Sequence, residues 1–228
     1  MFNNRYGKEI KEENTPTARK SKVRSVVISA LIVALMAGGI FFISISVIEA
    51  RENTGITVKS KWYPTSLRDL DLSEDYLSDE DILPLQRMAD LNVLKLASNK
   101  IGDISSLSGL ANLRILELYS NQISDISSLS GLTVLSSLNL SDNQISDISP
   151  LSDLDYWLDD LYLASNQISD ISPLSGLADL HYLDLSDNWI SDISPLSGLT
   201  NLGYLDLSGN PITDWSPVAH IEDVDGRP

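Results

Sequence analysis

The sequence predicts an α/β-type repeat solenoid, with parallel strands on a concave face, short helical turns on a convex face, and one transmembrane helix ahead of the stack. Two observations predict the stack. Asn99, Asn121, Asn143, Asn166, Asn188 and Asn210 recur at intervals of 22, 22, 23, 22 and 22 residues. Around each lies one template, LxxLxLxxNxIxDI, and a fixed period of this size sets an architecture before any propensity is considered. A third observation predicts the membrane helix: residues 25–48, SVVISALIVALMAGGIFFISISVI, carry no charge.

Residues 1–24 hold seven cations (Arg5, Lys8, Lys11, Arg19, Lys20, Lys22, Arg24) against three acids (Glu9, Glu12, Glu13). The 24 uncharged residues that follow would make a helix of about 36 Å, enough for a hydrocarbon core of about 30 Å with tilt. The cations then place residues 1–24 in the cytoplasm and everything after the span outside, as a single-pass signal anchor in the plasma membrane. The alternative is a cleaved signal peptide. Against it, the apolar run is far longer than a signal h-region, and Val47-Ile48-Glu49-Ala50 is a poor small-x-small cleavage site. Residues 49–64 are expected as a juxtamembrane linker, with Trp62 and Tyr63 packing on the first repeat.

Residues 65–221 form the expected repeat domain of about seven units. Within a unit such as LRILELYSNQISDISSLSGL (113–132), apolar residues are spaced 3, 2, 5 and 3 apart. The brief LxL alternation suits one short strand. The rest must return so that the next strand can lie beside the first at about 4.8 Å. One unit cannot enclose its own leucines, so stacking closes the core. Where the coil turns sharply, buried backbone groups need partners, and an inward Asn carboxamide offers donors and acceptors together. The six asparagines are therefore expected as a structural ladder. Ser149-Pro150, Ser172-Pro173, Ser194-Pro195 and Ser216-Pro217 match an N-cap serine followed by an N1 proline. Gly109, Gly131, Gly176 and Gly198 fit the exit of the same helical turn. The extra residue between Asn143 and Asn166 is expected as an outer bulge near LSDLDYWLDDLYL. Trp215 and His220 are expected to cover the final coil, and residues 222–228 to be a C-terminal tail.

This pattern resembles the 22-residue leucine-rich repeats of the bacterial internalin type, over residues 67–221. The first unit, LRDLDLSEDYL, departs by placing Asp75 where the others have Asn, as suits a terminal cap. The resemblance implies the repeat scaffold and a binding role; it implies no particular ligand, because the family binds many unrelated partners, and no host-invasion role.

Chemistry-bearing residues are sparse. There are two histidines, His181 and His220, and no cysteine. No GxSxG, HExxH or glycine-rich phosphate loop is present, so no catalytic residue, no cofactor and no enzyme is expected. Asp103, Asp125, Asp147, Asp170, Asp192 and Asp214 recur four residues after each ladder Asn. They are expected to accept backbone N–H bonds in a turn rather than to bind calcium, which needs several oxygens converging on one ion. His181 could pair with Asp159 or Asp160.

The whole chain has net charge −16; residues 51–228, with 9 Lys/Arg and 28 Asp/Glu, carry −19. That argues against nucleic acid and anionic lipid as ligands of the ectodomain and permits basic ones. On each strand, positions four and six of the template point inward, so three, five and seven face out. Those positions supply the expected ligand-binding residues of the concave face: Tyr119, Asp160, Tyr162, Tyr182, Asp184, Tyr204 and Asp206. Exposed aromatics flanked by charge are a hot-spot composition, and Trp189 would extend the patch along the rim. The expected function is a membrane-anchored extracellular recognition module for a protein partner with a basic surface. The alternatives are an envelope spacer without a specific ligand and a regulatory subunit of a partner enzyme.

Overall fold

A computed structural model of the chain describes residues 54–154 and 156–228, together with the pairs β1 (Leu35–Met36) and β2 (Gly39–Ile40). Most of the expected membrane span lies outside the described residues. The four described residues within it pair antiparallel instead of continuing a helix. Among the described residues, no helix is long and apolar enough to cross a membrane.

The repeats build one parallel sheet of eight strands in sequence order: β5 (Asp69–Asp71), β6 (Val93–Lys95), β7 (Ile115–Glu117), β8 (Ser137–Asn139), β9 (Asp160–Tyr162), β10 (Tyr182–Asp184), β11 (Tyr204–Asp206) and β12 (Asp223–Asp225). Each strand is the three residues around position four. The middle leucine is buried and its neighbours face out, as in Leu116, Leu138, Leu161 and Leu183. Registers align equivalent positions throughout, so Leu94, Leu116, Leu138 and Leu161 stack in one row. One continuous core of leucine and isoleucine runs the length of the stack.

The asparagine ladder sets each coil against the one before it. Asn143 Oδ1 accepts the Ile123 N–H at 3.0 Å, and Nδ2 donates to Leu118 O of the preceding coil at 3.1 Å and to Leu140 O of its own coil at 3.0 Å. Asn99, Asn121, Asn166, Asn188 and Asn210 repeat this pattern. The residue before each asparagine takes a left-handed backbone: φ is 55° at Ser98, 54° at Ser120, 55° at Asp142, 54° at Ser165, 53° at Asp187 and 73° at Gly209. That single left-handed residue swings the chain off the strand and turns the carboxamide inward, at a cost of about 1–2 kcal/mol for a non-glycine. The preference for Ser, Asp and Gly at this position is the signal for it.

On the far side of each coil lies a 3₁₀ turn, such as Ser127–Leu129 or Ser172–Gly176. The expected serine N-caps are not the caps. The turns begin on the serines themselves, and no serine side chain caps them. The acid two residues earlier does this work: Asp147 Oδ1 accepts the Ser149 N–H at 2.8 Å, and Asp103, Asp125, Asp170, Asp192 and Asp214 bond Ser105, Ser127, Ser172, Ser194 and Ser216 in the same way. Those N–H bonds hold all six carboxylates below the ordinary aspartate range. The glycines expected at the turn exits also differ. Gly109, Gly131, Gly176 and Gly198 have no positive φ, and a Cβ at Gly109, Gly176 or Gly198 would meet open space.

The ends of the stack differ from the linker and tail expected of them. β3 (Gly55–Val58) and β4 (Lys61–Pro64) form an antiparallel hairpin through Lys59 (φ 42°) and Ser60 (φ 70°), the two left-handed residues of a type I′ turn. Ile56, Val58 and Tyr63 join the core, and Lys59 Nζ donates to the carbonyls of Asp75 and Tyr76 at 2.6 and 2.7 Å. Trp62 stays exposed and lies over Gly55, where a Cβ would collide with its indole. At the other end, residues 221–226 read IEDVDG, the start of an eighth template. Asp223–Asp225 pairs with β11, Val224 and Trp215 pack on the core, and Arg227 donates to the carbonyls of Val218 and Ile221. His220 is exposed and covers nothing; Arg227 serves in its place.

Two outcomes follow. Replacing Asn143 by Ala leaves buried backbone groups unpaired and should cost about 1–3 kcal/mol in urea unfolding, whereas Gln144→Ala, at an exposed neighbour, should stay within about 0.5 kcal/mol. Equal midpoints would contradict the ladder. Because the folded pKa of Asp147 is lowered from 3.8 by the Ser149 N–H, its contribution is present above the unfolded value and is lost as pH falls through the folded one. Wild type should therefore exceed Asp147→Asn in stability at pH 7, and the difference should close in melts carried progressively below pH 3.8.

Candidate functional site

The outward positions of the sheet form ordered rows, because every strand is in register. At position three the row reads Ile115, Ser137, Asp160, Tyr182, Tyr204, Asp223; at position five it reads Glu117, Asn139, Tyr162, Asp184, Asp206, Asp225. A parallel sheet fixes lateral neighbours about 4.8 Å apart, which is also a stacking distance for aromatic rings. Tyr182 and Tyr204 stack with centroids 4.6 Å apart and planes at 19°. Tyr162 lies one strand back in the other row. It meets Tyr182 diagonally at 4.8 Å with a 35° tilt. The expected cluster of Tyr162, Tyr182 and Tyr204 is therefore one continuous ladder of rings.

The acids around it are held in different ways. Asp184 Oδ1 accepts the Ser186 N–H at 3.0 Å and its hydroxyl at 2.6 Å; Asp206 Oδ1 accepts the Ser208 N–H at 2.8 Å. Asn139 and Asp71 bond Ser141 and Ser73 in the same fashion. The recurrent triplets Asp71-Leu72-Ser73, Asn139-Leu140-Ser141, Asp184-Leu185-Ser186 and Asp206-Leu207-Ser208 are the sequence signal of this strand-end bond. These position-five acids thus serve the fold as well as the face. Tyr204 Oη donates to Asp225 Oδ2 at 2.6 Å, and that bond pushes the phenol well above its ordinary range. Burial raises the phenols of Tyr162 and Tyr182.

Asp160 stands apart. It is half-buried, and among the described residues its carboxylate has no hydrogen-bond or ion-pair partner. Burial first, then Asp159 beside it, raises its pKa, while His181 opposes the rise. His181 pairs with Asp159 instead, on an exposed edge. Tyr119 is not part of the ring ladder. It lies on the coil of β7, two strands from Tyr162, near the ion pair of Lys95 and Glu117 at 2.6 Å.

Other surface aromatics lie off the sheet face. Trp189 is exposed just past Asn188, where the chain leaves β10. The extra residue of the third interval falls between buried Leu154 and Leu158, in the connection entering β9, and leaves the strand register intact. Tyr156 and Trp157 project there, 76% and 61% exposed, at the opposite end of the strands from Trp189. The acids of the convex turns each bond their own turn. Among the described residues, no three His, Cys, Asp or Glu side chains are arranged to hold a metal ion.

Comparison with known proteins agrees with this geometry. The family described as "Leucine Rich repeats (2 copies)" matches residues 111–153, 157–188 and 179–220, and the family "Leucine rich repeat" matches 65–123. Among solved structures, an internalin (inlF) of Listeria monocytogenes is 34% identical with a TM-score of 0.67, over 72% of this chain and 49% of that one. Internalin C2 of the same organism is 30% identical with a TM-score of 0.57, over 72% of this chain and 83% of that one. The chain thus spans about half the length of the first of these relatives and most of the second. The ectodomain of the Arabidopsis thaliana receptor kinase GASSHO1/SCHENGEN3, solved in complex with CASPARIAN STRIP INTEGRITY FACTOR 2, shares the fold at 24% identity, with a TM-score of 0.61, over 70% of this chain and 21% of that one. No curated protein matches the chain. On its repeat geometry, its family matches and its likeness to internalin C2, the chain belongs to the bacterial internalin-type leucine-rich-repeat proteins.

Proposed function

We propose that this protein is a membrane-anchored extracellular recognition module that binds a protein partner with a basic surface through the sheet face of β9, β10 and β11. The observation that carries the reading is the ring ladder of Tyr162, Tyr182 and Tyr204 rimmed by Asp160, Asp184 and Asp206. Stacked rings supply rigid apolar area that a partner can desolvate. The acids supply orientation and encounter rate more than affinity. Leucine-rich-repeat proteins commonly mediate protein binding, and the plant receptor above, which shares the fold, was solved in complex with CASPARIAN STRIP INTEGRITY FACTOR 2; this supports a binding role. The anchor rests on the uncharged run 25–48 and the cations before it.

A photoreactive residue at position 182 on intact cells should crosslink the partner. Binding of that partner should weaken by about 100-fold or more when Tyr162, Tyr182 and Tyr204 are all changed to Ser, with the stack still folded because no core leucine is touched. Changing Asp160, Asp184 and Asp206 to Asn should chiefly lower the on-rate and its salt dependence; Asn139 already shows that an amide keeps the strand-end bond. An affinity that survives the tyrosine changes but collapses on altering Gln122 and Gln167 would place binding elsewhere. External protease on cells stripped of wall should remove the repeats and leave a small basic fragment in the membrane. A mature protein beginning near Arg51 and free in the medium would contradict the anchor.

A further inference from the structure

The ring ladder is asymmetric. At its β11 end Tyr204 is tied to Asp225, so that end is closed by an internal hydrogen bond. At its β9 end Tyr162 has one ring neighbour, Tyr182, and its register partner on the other side is Asn139 of β8. The outward residues of β8 are Ser137 and Asn139, and the Asn139 amide is held to the Ser141 N–H at 3.0 Å. The next large side chains, Ile115 and Glu117, stand on β7, two strand spacings or about 10 Å from β9. Glu117 is already matched by Lys95. Beside this gap sits Asp160, two residues before Tyr162 on the same face and without an internal partner among the described residues.

We infer that this open end is the seat of one arginine side chain of the partner, its guanidinium lying on the free face of Tyr162 and donating to the Asp160 carboxylate above the Ser137–Asn139 floor. The inference rests on the reading of the sheet face as a site for a basic partner, and it names the cation. A guanidinium is planar, weakly hydrated and carries parallel N–H donors, so it can stack on a ring and fork onto a carboxylate at once. An ammonium is a strongly hydrated point charge that gains only the Coulombic part. Asp160 and Tyr162 lie about 7 Å apart along the strand, so one arginine head spans both. The half-buried Asp160 is raised by desolvation, as expected of a carboxylate that lacks its cation.

The test uses the full-length chain in neutral detergent with 3-fluorotyrosine incorporated, and follows the tyrosine signals by fluorine NMR. The Tyr162 signal is assigned by its loss in Tyr162→Phe. The probes are Nα-acetyl-argininamide, Nα-acetyl-lysinamide and the uncharged Nα-acetyl-citrullinamide. The arginine probe should move the Tyr162 signal before that of Tyr204 and bind about tenfold more tightly than the lysine probe, with citrulline inert. Asp160→Asn should remove that preference, and Asp160→Glu should restore part of it. Equal affinity for the two cations, or an arginine preference that survives Asp160→Asn, would overturn the seat while leaving the basic-partner reading in place. Silence of all three tyrosine signals toward both cations would overturn the seat and weaken that reading with it.

Discussion

Every coil of this solenoid must turn back inside its own stack, and doing so buries backbone groups with no neighbour in a strand or helix to satisfy them. The asparagine ladder answers that constraint. Each carboxamide accepts one N–H from the preceding coil and donates to carbonyls of both coils. An apolar residue of similar size would fill the space and leave those groups unpaired, which costs more than the packing returns. The left-handed residue just ahead of each asparagine is part of the same device, since without it the amide would point along the strand.

Because the ladder joins equivalent atoms of successive coils, it also enforces register, and register is what creates the surface. Residues 22 apart are held at one strand spacing, so a recurring tyrosine becomes a stack and a recurring aspartate becomes a row. The 4.6 Å between the Tyr182 and Tyr204 rings follows from this spacing, and Tyr162 joins them by leaning across the diagonal to Tyr182. The third interval shows how strictly register is kept: its extra residue is accommodated in the loop around Tyr156 and Trp157, and Asp160 still pairs with Ser137.

Acids are used twice in this molecule. Those of the convex turns, with Asp71, Asp184 and Asp206 of position five, accept backbone N–H groups at the ends of local elements, which offsets the mutual repulsion of a strongly anionic surface. Asp160 and Asp223, the position-three acids beside the tyrosines, have no such bond among the described residues, and of the two Asp160 is the half-buried one. Positions that serve the fold are saturated internally, and a position that is not saturated has capacity left for a partner.

The repeat period, the inward leucines, the ladder asparagines and the turn role of the recurrent aspartates were all legible in the sequence, because each depends on contacts between residues at fixed separations. The rows of Tyr162, Tyr182 and Tyr204 with Asp160, Asp184 and Asp206 could be read for the same reason. What escaped was local geometry with more than one solution. Whether Asp147 or Ser149 caps the turn, or whether Gly109 needs a left-handed backbone, depends on local backbone angles that the period does not set. Non-periodic ends escaped too: the hairpin of residues 55–64 and the strand Asp223–Asp225 are defined by the open end they cover. Only the tertiary structure decided which carboxylates hold internal hydrogen bonds and how the rings of the ladder pack. Period determines which side chains become neighbours; the hydrogen bonds those neighbours finally make depend on angles that only the assembled stack sets.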